Sequence, residues 1–359
     1  MVDLAQEGFS HEEVLQALQF QGGARHVRYE LLLLRGETAV KPLRLHSFRL
    51  SCDYLAEVKF SGRFVLEEDP AIHWRSDRLQ LAMVLSLGGK ELYYPFPRLK
   101  AVRITGCGLI TVEALDETVI LTQSSLGDRI WIPKGTRYTD YLTGLLEGMG
   151  FAYVLITPSE AAFTTDREDW EPEVSLYALC SQLLAEIGYR GLEAARLGGI
   201  RSGPYEPPDA SLAKISYRAG KESVLFPQRE RELDNRCRPN RFIGYLSNPE
   251  LPPMRAEYQN DNPASPTSPY NNGGYTITAV RRFDQIADRQ SLEKNLRRWA
   301  LETEALYEYI ELQTAAMPHH EVREILALDC EGASGIYTEV GWTLERERML
   351  HRLRRYWMD

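Results

Sequence analysis

Polar and apolar residues alternate with the two-residue period of β-strands over residues 26–123. Residues 43–51, LRLHSFRLS, alternate imperfectly in polarity, which indicates a sheet that is contacted on both faces. Residues 79–96 have the pattern of a hairpin with a Gly-Gly turn, and residues 101–115 that of a second strand pair around a Gly-Cys-Gly turn. Residues 26–130 are therefore predicted to form a β-barrel or sandwich.

The first 25 residues have a different pattern. Ser10 and Glu13 form an S-x-x-E capping box, which is typical of a helix start. A partial apolar stripe follows at Val14, Leu15, Leu18 and Phe20. The Gly-Gly pair at 22–23 is expected to end this helix. Residues 1–25 are thus predicted to be a short helical arm, separate from the β-domain.

A composition shift introduces a predicted α/β module, residues 131–209. Residues 138–156 and 175–194 both have the order helix, glycine, strand, and an acidic loop, TDREDWEPE, joins the two units. The proline-rich stretch 202–209 closes the module. The leucines expected in its core are Leu145, Leu146, Leu183 and Leu184.

Strand patterns return in residues 210–359, together with one clear helix at 288–306. The helix has an apolar face, predicted to pack against the strands, at Leu292, Leu296 and Trp299. The proline- and asparagine-rich residues 260–274 are expected to form a long surface loop. These residues predict a second β-barrel with one packed helix. The predicted fold is α+β, mainly β: two β-barrel domains with an inserted α/β module.

Charge and composition narrow the function classes. The chain has 43% hydrophobic and 26% charged residues, as ordinary globular proteins do. A net charge of −9 argues against specific nucleic-acid binding, which relies on a surplus of cations. Basic residues cluster in ERERMLHRLRRYW (345–357). A DNA-binding tail is one interpretation of this cluster, and a solvated or subunit-facing strand is the favoured one.

The lack of a recognisable targeting signal and the wide spacing of the cysteines predict a protein that folds in a reducing cytoplasm. The longest apolar run, residues 31–34, is much shorter than the ~20 residues of a membrane helix, and the acidic N-terminus is unlike a secretory signal. No membrane association is therefore expected. The five cysteines are widely spaced without a CxxC pair, which predicts reduced, mostly buried thiols.

Two places in the sequence contain residues of the types that catalysis or metal binding uses. Asp166, Glu168 and Asp169 could serve as a carboxylate pair for glycoside hydrolysis, but neighbours on a loop more commonly cap helices or pair with arginine. His319 and His320 are adjacent and have no third ligand at helical spacing, so a metal site is not expected. The sequence therefore predicts no catalytic, cofactor-binding or metal-binding residues.

Several segments resemble the hub proteins of long-tailed phages, defective prophages and tail-like bacteriocins. The resemblance covers most of the chain after about residue 26 and leaves residues 1–25 unmatched. It is carried by PAIHWRSDRLQ (70–80), ALDETVILTQSSL (114–126), KGTRYTDYLTGLLEGMGF (134–151), ITPSEAAFTTDREDWEPEVS (156–175), RPNRFIGYLSNPELPPMRAEYQNDNPASPTS (238–268), residues 284–322 and GIYTEVGWTL (335–344).

The resemblance implies two tail-tube-like β-barrels per chain and a homotrimer that adapts a six-fold tail tube to a three-fold spike around an axial channel. It implies as partners the tail tube protein, a spike or tip protein, surrounding baseplate proteins and the tape measure protein, within a virion or tail-like particle assembled in the host cytoplasm. The interface candidates are Arg297, Arg298, Glu302, Asp166 and Trp170. The alternative is a cell-wall-degrading or peptidoglycan-binding tail-tip protein.

Overall fold

The computed structural model describes residues 2–19, 26–213, 215–220, 223–236, 238–248, 252–321 and 323–357. Its N-terminal part contains α1 (His11–Gln19), β1 (His26–Arg35), β2 (Thr38–Leu43), β3 (Leu45–Asp53), β4 (Phe60–Glu67), β5 (Arg78–Leu87), β6 (Lys90–Pro95), β7 (Leu99–Cys107), β8 (Leu109–Asp116) and α2 (Val119–Thr122). The insert contains α3 (Tyr138–Gly148), β9 (Val154–Ile156), α4 (Leu176–Glu186), β10 (Glu193–Ala194) and β11 (Ile200–Ser202). The C-terminal part contains β12 (Ile215–Arg218), β13 (Leu225–Leu233), β14 (Arg241–Leu246), β15 (Arg255–Gln259), β16 (Thr278–Phe283), α5 (Arg289–Glu304), β17 (Glu308–Ala315), β18 (Ile325–Cys330), β19 (Ala333–Glu345) and β20 (Arg348–Arg355). The predicted mainly β, α+β class is confirmed.

Fourteen of the described strands form one hydrogen-bonded sheet that draws on both β-rich parts of the chain. The two parts meet where β3 pairs antiparallel with β19, which places Leu50 opposite Leu344 and Cys52 opposite Trp342. The sheet runs β13-β17-β20-β19-β3-β4-β8-β7-β5-β1-β2, with β18 and then β12 attached to β19, and β6 attached to β5. The β-rich regions, expected as two domains, are thus joined by backbone hydrogen bonds.

A single hydrophobic core accompanies this sheet and contains side chains from both β-rich parts. Trp342 of β19 is 1% exposed and contacts two aromatic rings of the N-terminal part. Its ring centroid lies 6.0 Å from that of Phe60 and 5.9 Å from that of Phe96. Because one side chain fills space between the two parts, their stabilities are coupled by packing as well as by strand pairing.

The N-terminal segment also belongs to this core, so the prediction of a separate arm is wrong. Its capping box is confirmed, since Glu13 Oε2 accepts a hydrogen bond of 2.8 Å from the Ser10 backbone N–H. The Tyr94 hydroxyl donates a 2.7 Å hydrogen bond to the Leu4 carbonyl. The segment's fully buried side chains are Leu4, Val14 and Leu18. The predicted helix end at Phe20 and the glycines at 22–23 lies outside the described residues.

The two predicted hairpins are confirmed. Gly88 and Gly89 have φ angles of +56° and +77° between β5 and β6, which is the left-handed backbone that a tight two-residue turn requires. Gly106 has φ +106° near the β7–β8 turn. A Cβ atom at Gly106 would lie 2.6 Å from the Leu109 carbonyl oxygen, so the tight return of the chain requires glycine there.

Most residues of a second hydrophobic core come from the insert. Gly150 and Gly188 follow α3 and α4 with φ angles of +91° and +70°, and β9 pairs parallel with β11. Of the predicted core leucines, three are fully buried and Leu145 is partly buried against the same core. The fully buried ones are Leu146, Leu183 and Leu184.

Helix α5 packs on a separate three-stranded sheet, β15-β14-β16, and not on the large sheet as expected. Leu292 and Leu296 are buried there with Phe242 of β14. Gly244 makes the close approach feasible, because a Cβ atom at that position would lie 3.2 Å from Leu292 Cδ1. The predicted apolar face is thus correct and its packing partner was misassigned.

The stretch 260–274 is a compact loop with a buried polar interior, which the expectation of a surface loop missed. Asn260 Nδ2 donates hydrogen bonds to Ser265 Oγ at 2.8 Å and to Thr267 Oγ1 at 3.1 Å. Asn240 of the neighbouring chain segment donates to the Thr267 carbonyl at 3.1 Å. Since buried polar groups must find partners, these side chains fix one loop conformation beside β14.

Candidate functional site

The interface residues predicted on α5 differ in their exposure to solvent. Arg297 is exposed, as expected. Arg298 instead points into the molecule: its Nε donates to Glu302 Oε1 at 2.8 Å and its NH1 to the Tyr189 carbonyl at 3.3 Å. The Arg298 guanidinium also lies 5.1 Å from the ring centroid of Tyr205. Arg298 and Glu302 therefore connect α5 to the insert, which corrects the prediction that both face outward.

The two interface candidates of the acidic loop also differ. Asp166 is exposed, and its Oδ1 accepts a 2.6 Å hydrogen bond from the Lys134 backbone N–H. Trp170 is 4% exposed and donates from Nε1 to Gln182 Oε1 at 3.0 Å. A side chain inside the core of the insert cannot contact another chain directly. The assignment of Trp170 to an interface is therefore wrong.

Arg167 explains why this loop folds inward. Its guanidinium is 2% exposed and forms a bidentate pair with Glu186, at 2.9 and 3.2 Å. It lies 4.6 Å from the Trp170 ring centroid and also binds Asp169, at 2.6 Å. Burial raises the pKa of Tyr138, whose hydroxyl donates to Glu186. The loop carboxylate Asp169 is thus bound by arginine, which was the favoured interpretation of this cluster.

One end of the β7–β8 hairpin is exposed on both of its faces. Strand β7 pairs with β5 only at Leu99 opposite Leu79, so its edge beyond this point has no described strand beside it. The exposed fractions of three apolar side chains there are 42% for Val102, 39% for Ile104 and 52% for Leu109. An open strand edge with exposed apolar side chains is a template for pairing with another chain.

Strand β13 is another exposed edge, and it forms one end of the strand order. Among the described strands it pairs only with β17. Its side chains from Arg229 to Leu233 are all exposed, so both faces of the strand meet solvent. Pro227 and the alternating charges of this strand are features by which proteins restrict unselective edge pairing. The exposed edges at β7 and β13 therefore differ in chemistry, since the first is apolar and the second is charged.

A buried polar network, not anticipated from the sequence, lies in the C-terminal part of the core. Glu339 of β19 accepts hydrogen bonds from His320 Nδ1 at 2.7 Å and from His351 Nδ1 at 2.5 Å. Hydroxyl groups bind the other ring nitrogens, with Tyr217 2.6 Å from His320 Nε2 and Thr314 2.8 Å from His351 Nε2. The ligand-type atoms of the two histidines and Glu339 lie within 4.8 Å of one another. Since each of them is engaged in a hydrogen bond, the arrangement is a closed structural network.

Burial and charge determine the protonation states in this network. Burial lowers the pKa of His320, and it lowers the pKa of the neighbouring His319 well below its ordinary value. Although burial alone raises the pKa of Glu339, the two bound histidines outweigh it and the net shift is downward. At neutral pH Glu339 is therefore a carboxylate that accepts hydrogen bonds, and its partner His320 is a neutral imidazole.

These shifts predict a loss of stability in mild acid. His319 and His320 bind a proton more readily in the unfolded chain, so stability is present above pH ~6.5 and is lost as the pH falls. We expect the free energy of unfolding to fall by roughly 1–3 kcal/mol between about pH 7.5 and 5.5, as measured by urea denaturation. The double variant His319→Gln, His320→Gln should have a flatter pH profile, whereas the exposed-site control His73→Gln should follow the wild type. A flat wild-type profile would contradict this assignment.

The alternation of residues in β20 contained the signal for this network. Met349, His351 and Leu353 share one strand face, and all three are buried. A histidine on an apolar strand face indicates a buried polar partner. Its partner, Glu339, could not be identified because it lies on another strand, at a register shift between β19 and β20.

Three of the four described cysteines are buried, as the sequence predicts. Cys52, Cys180 and Cys330 are buried and unpaired, Cys107 is exposed and unpaired, and Cys237 lies outside the described residues. No helix within the described ranges has the length and apolar composition needed to cross a lipid bilayer.

Comparison with known proteins relates this architecture to phage tails. No protein-family model and no curated protein matches the sequence. Among solved structures, the chain is similar to a tail protein from Neisseria meningitidis MC58, with 13% identity, a TM-score of 0.61 and coverage of 91% of this chain and 96% of that one. It is also similar to the 43 kDa tail protein of prophage MuSo2 from Shewanella oneidensis, with 11% identity, a TM-score of 0.59 and coverages of 91% and 98%.

A third similar structure is the prophage tail protein gp18 from Listeria monocytogenes EGD-e, with 12% identity, a TM-score of 0.57 and coverages of 91% and 94%. In all three comparisons nearly the whole of both chains is matched. The chain therefore shares its overall fold with one tail protein and two prophage tail proteins.

Proposed function

We propose that this protein is a structural component of a phage-type tail, a homotrimeric hub that joins the six-fold tail tube to a three-fold spike or tip around an axial channel. The observation that carries the proposal is the pair of unlike exposed edges, β7 and β13, on one sheet. The likeness in fold to three tail proteins supports the same assignment.

Unlike edges favour a ring over a two-fold dimer. When one surface of a chain binds a different surface of the next copy, the contact is head-to-tail, and it produces a closed ring if the rotation closes. Pairing of β7 with β13 of the next copy would bury Val102 and Ile104 and would satisfy the open backbone groups of both strands. Three copies, each with tube-like β-domains at 26–130 and 210–359, would present six similar units to the tube.

The insert has exposed apolar side chains that suit it to contact other tail proteins. Four large ones are 51–70% exposed: Trp131, Tyr153, Leu155 and Leu197. Such residues are enriched where proteins bind one another. We assign residues 131–209 to contacts with surrounding baseplate proteins, and the ring to contacts with the tail tube, the spike or tip and the tape measure protein. The protein then resides in the baseplate of a virion or tail-like particle.

The edge assignment predicts the behaviour of the double variant Val102→Asp, Ile104→Asp. Two carboxylates in the paired edge would be desolvated without partners, so we expect the variant to remain monomeric where the wild type is trimeric. Multi-angle light scattering gives the mass, and thermal melting checks the fold. Both side chains are exposed within one chain, so the melting temperature should change little.

The matched control is Leu155→Asp with Leu197→Asp, which places the same charges on exposed apolar positions of the insert. This variant should still form trimers and should fail instead to incorporate surrounding baseplate proteins into tails seen by electron microscopy. A monomeric wild type, or a trimeric Val102→Asp, Ile104→Asp variant, would refute ring formation through β7.

A further inference from the structure

A cleft of about 290 Å³ lies where the N-terminal sheet, the insert, α5 and the C-terminal strands meet. Its cationic lining residues are Lys59, Arg298, Arg323 and Arg354, and its acidic ones are Glu57 and Glu302. Four cations against two carboxylates leave two positive charges in the cleft. The whole chain has a net charge of −9, so the positive charge of the cleft is opposite in sign to the net charge of the protein.

Three of these cations surround one aromatic side chain, Tyr54. The Lys59 ammonium lies 5.3 Å and the Arg323 guanidinium 5.1 Å from the Tyr54 ring centroid. Arg298 NH2 lies 3.5 Å from the Tyr54 hydroxyl. Arg323 also stacks on Tyr205, at 4.5 Å. Like charges gathered around one ring repel one another, and the aromatic faces offset only part of that repulsion.

Carboxylates neutralise only part of this cluster. Glu302 pairs with Arg298 at 2.8 Å. Among the described residues, neither Arg323 nor Arg354 has a carboxylate within 4.0 Å, and the Lys59 ammonium donates to two backbone carbonyls. Burial lowers the pKa of Lys59, which shows that its charge is costly in this setting. A bound anion would offset that cost.

A buried hydroxyl adds a second, independent feature. Thr338 is 2% exposed and lines the cleft, and its Oγ1 has no hydrogen-bond partner among the described residues. An unpartnered buried hydroxyl is unfavourable, so such groups commonly face a ligand or an ordered water. In the proposed complex, the Thr338 side chain would turn its hydroxyl toward the cleft and donate one hydrogen bond there.

We propose that this cleft binds a phosphate group, either as inorganic phosphate or as a phosphate ester. The surplus of two positive charges matches the charge of about −1.5 to −2 that a phosphate carries at neutral pH. The N–H groups of Arg323 and Arg354 can bind its oxygens in pairs, Lys59 contributes a point charge, and Thr338 donates from its hydroxyl. Because chain segments from every part of the fold line the cleft, a bound phosphate would link them together.

The test is calorimetric titration of the full chain with inorganic phosphate at neutral pH, with chloride of equal ionic strength as the reference. Loss of one guanidinium should weaken binding about tenfold or more, in Arg323→Ala and equally in Arg354→Ala. Thr338→Val keeps the side-chain shape and should weaken binding several-fold. The melting temperature of each variant without phosphate establishes that the variant is folded. If one arginine variant does not fold, the other still tests the proposal.

The matched control is Arg346→Ala. Arg346 and Arg323 both have a left-handed backbone, with φ +53° and +60°, but Arg346 lies on an exposed turn. It should bind phosphate as the wild type does. No binding above the chloride reference, or an equal loss in Arg346→Ala, would overturn the proposal. Titration with adenosine monophosphate distinguishes a phosphate ester from the free ion as the ligand. Tighter binding than that of inorganic phosphate identifies an ester as the ligand, and weaker binding identifies the free ion.

Discussion

Replacement of Trp342 by alanine is expected to lower the free energy of unfolding by about 3–5 kcal/mol, measured by urea denaturation. The side chain is 1% exposed and lies between Phe60 and Phe96, so its removal leaves a cavity between the two β-rich parts. Trp342→Phe should lose less, because it keeps an aromatic ring and removes an indole N–H that has no partner among the described residues. Because the sheet and the core are shared, the large sheet should still unfold in a single transition.

Trp131→Ala is the matched control, since Trp131 is 62% exposed. It should change the free energy of unfolding by less than about 0.5 kcal/mol. Equal losses in the two variants would show that Trp342 does not fill the junction. A Trp342→Ala protein in which the C-terminal strands melt separately from β1–β8 would show that the two β-rich parts are independent domains.

Glu339→Ala is expected to be as severe, at about 3–5 kcal/mol, because each buried donor that loses its acceptor costs about 1–3 kcal/mol. The carboxylate accepts hydrogen bonds from both His320 and His351, and its removal leaves two buried imidazole N–H groups without acceptors. Urea denaturation at neutral pH gives the magnitude, and imidazole proton resonances in NMR spectra report the hydrogen bonds.

The control is Glu331→Ala, on the exposed turn between β18 and β19. Both variants remove one carboxylate, so they change the net charge equally, and only the buried one should be destabilised. If Glu339→Ala melts with the wild type, the network contributes nothing to stability.

Local patterns predicted local structure well. The Gly88-Gly89 turn and the Ser10 capping box depend on neighbours in sequence, and both are present. The leucines of α4 repeat at helical spacing and are buried. In these cases the interacting groups lie within a few residues of one another. Backbone geometry and the period of the side chains are therefore enough to predict the local structure.

Partners distant in sequence could not be identified in this way. Alternation indicates that β3 is a strand, but it does not specify that β19 pairs with it. Helical periodicity correctly placed Leu292 and Leu296 on one face of α5 and left Arg298 on another. It could not indicate that Tyr54 and Tyr189, from two other parts of the chain, cover that second face.

The side-chain exposure expected for the acidic loop was wrong for a similar reason. Its charges suggested an exposed surface, and Trp170 was therefore assigned to an interface. Arg167 reverses this, because its pairing with Glu186 of α4 draws the loop and the indole into the core of the insert. Whether the Trp170 side chain is exposed therefore depends on one ion pair, between Arg167 and Glu186, whose members lie on different elements.

The junction between β3 and β19 has a consequence for how the protein is made. Ser51 and Thr343, which are hydrogen-bonded at 3.1 Å across it, are separated by 292 positions in the chain. At a synthesis rate of about 5–20 residues per second, β3 waits roughly 15–60 s for its neighbour to leave the ribosome. During that interval the insert, which has its own core, can fold, while β3 presents an unpaired edge. Nascent chains of this protein therefore pass through a period in which premature strand pairing between neighbouring ribosomes competes with correct folding.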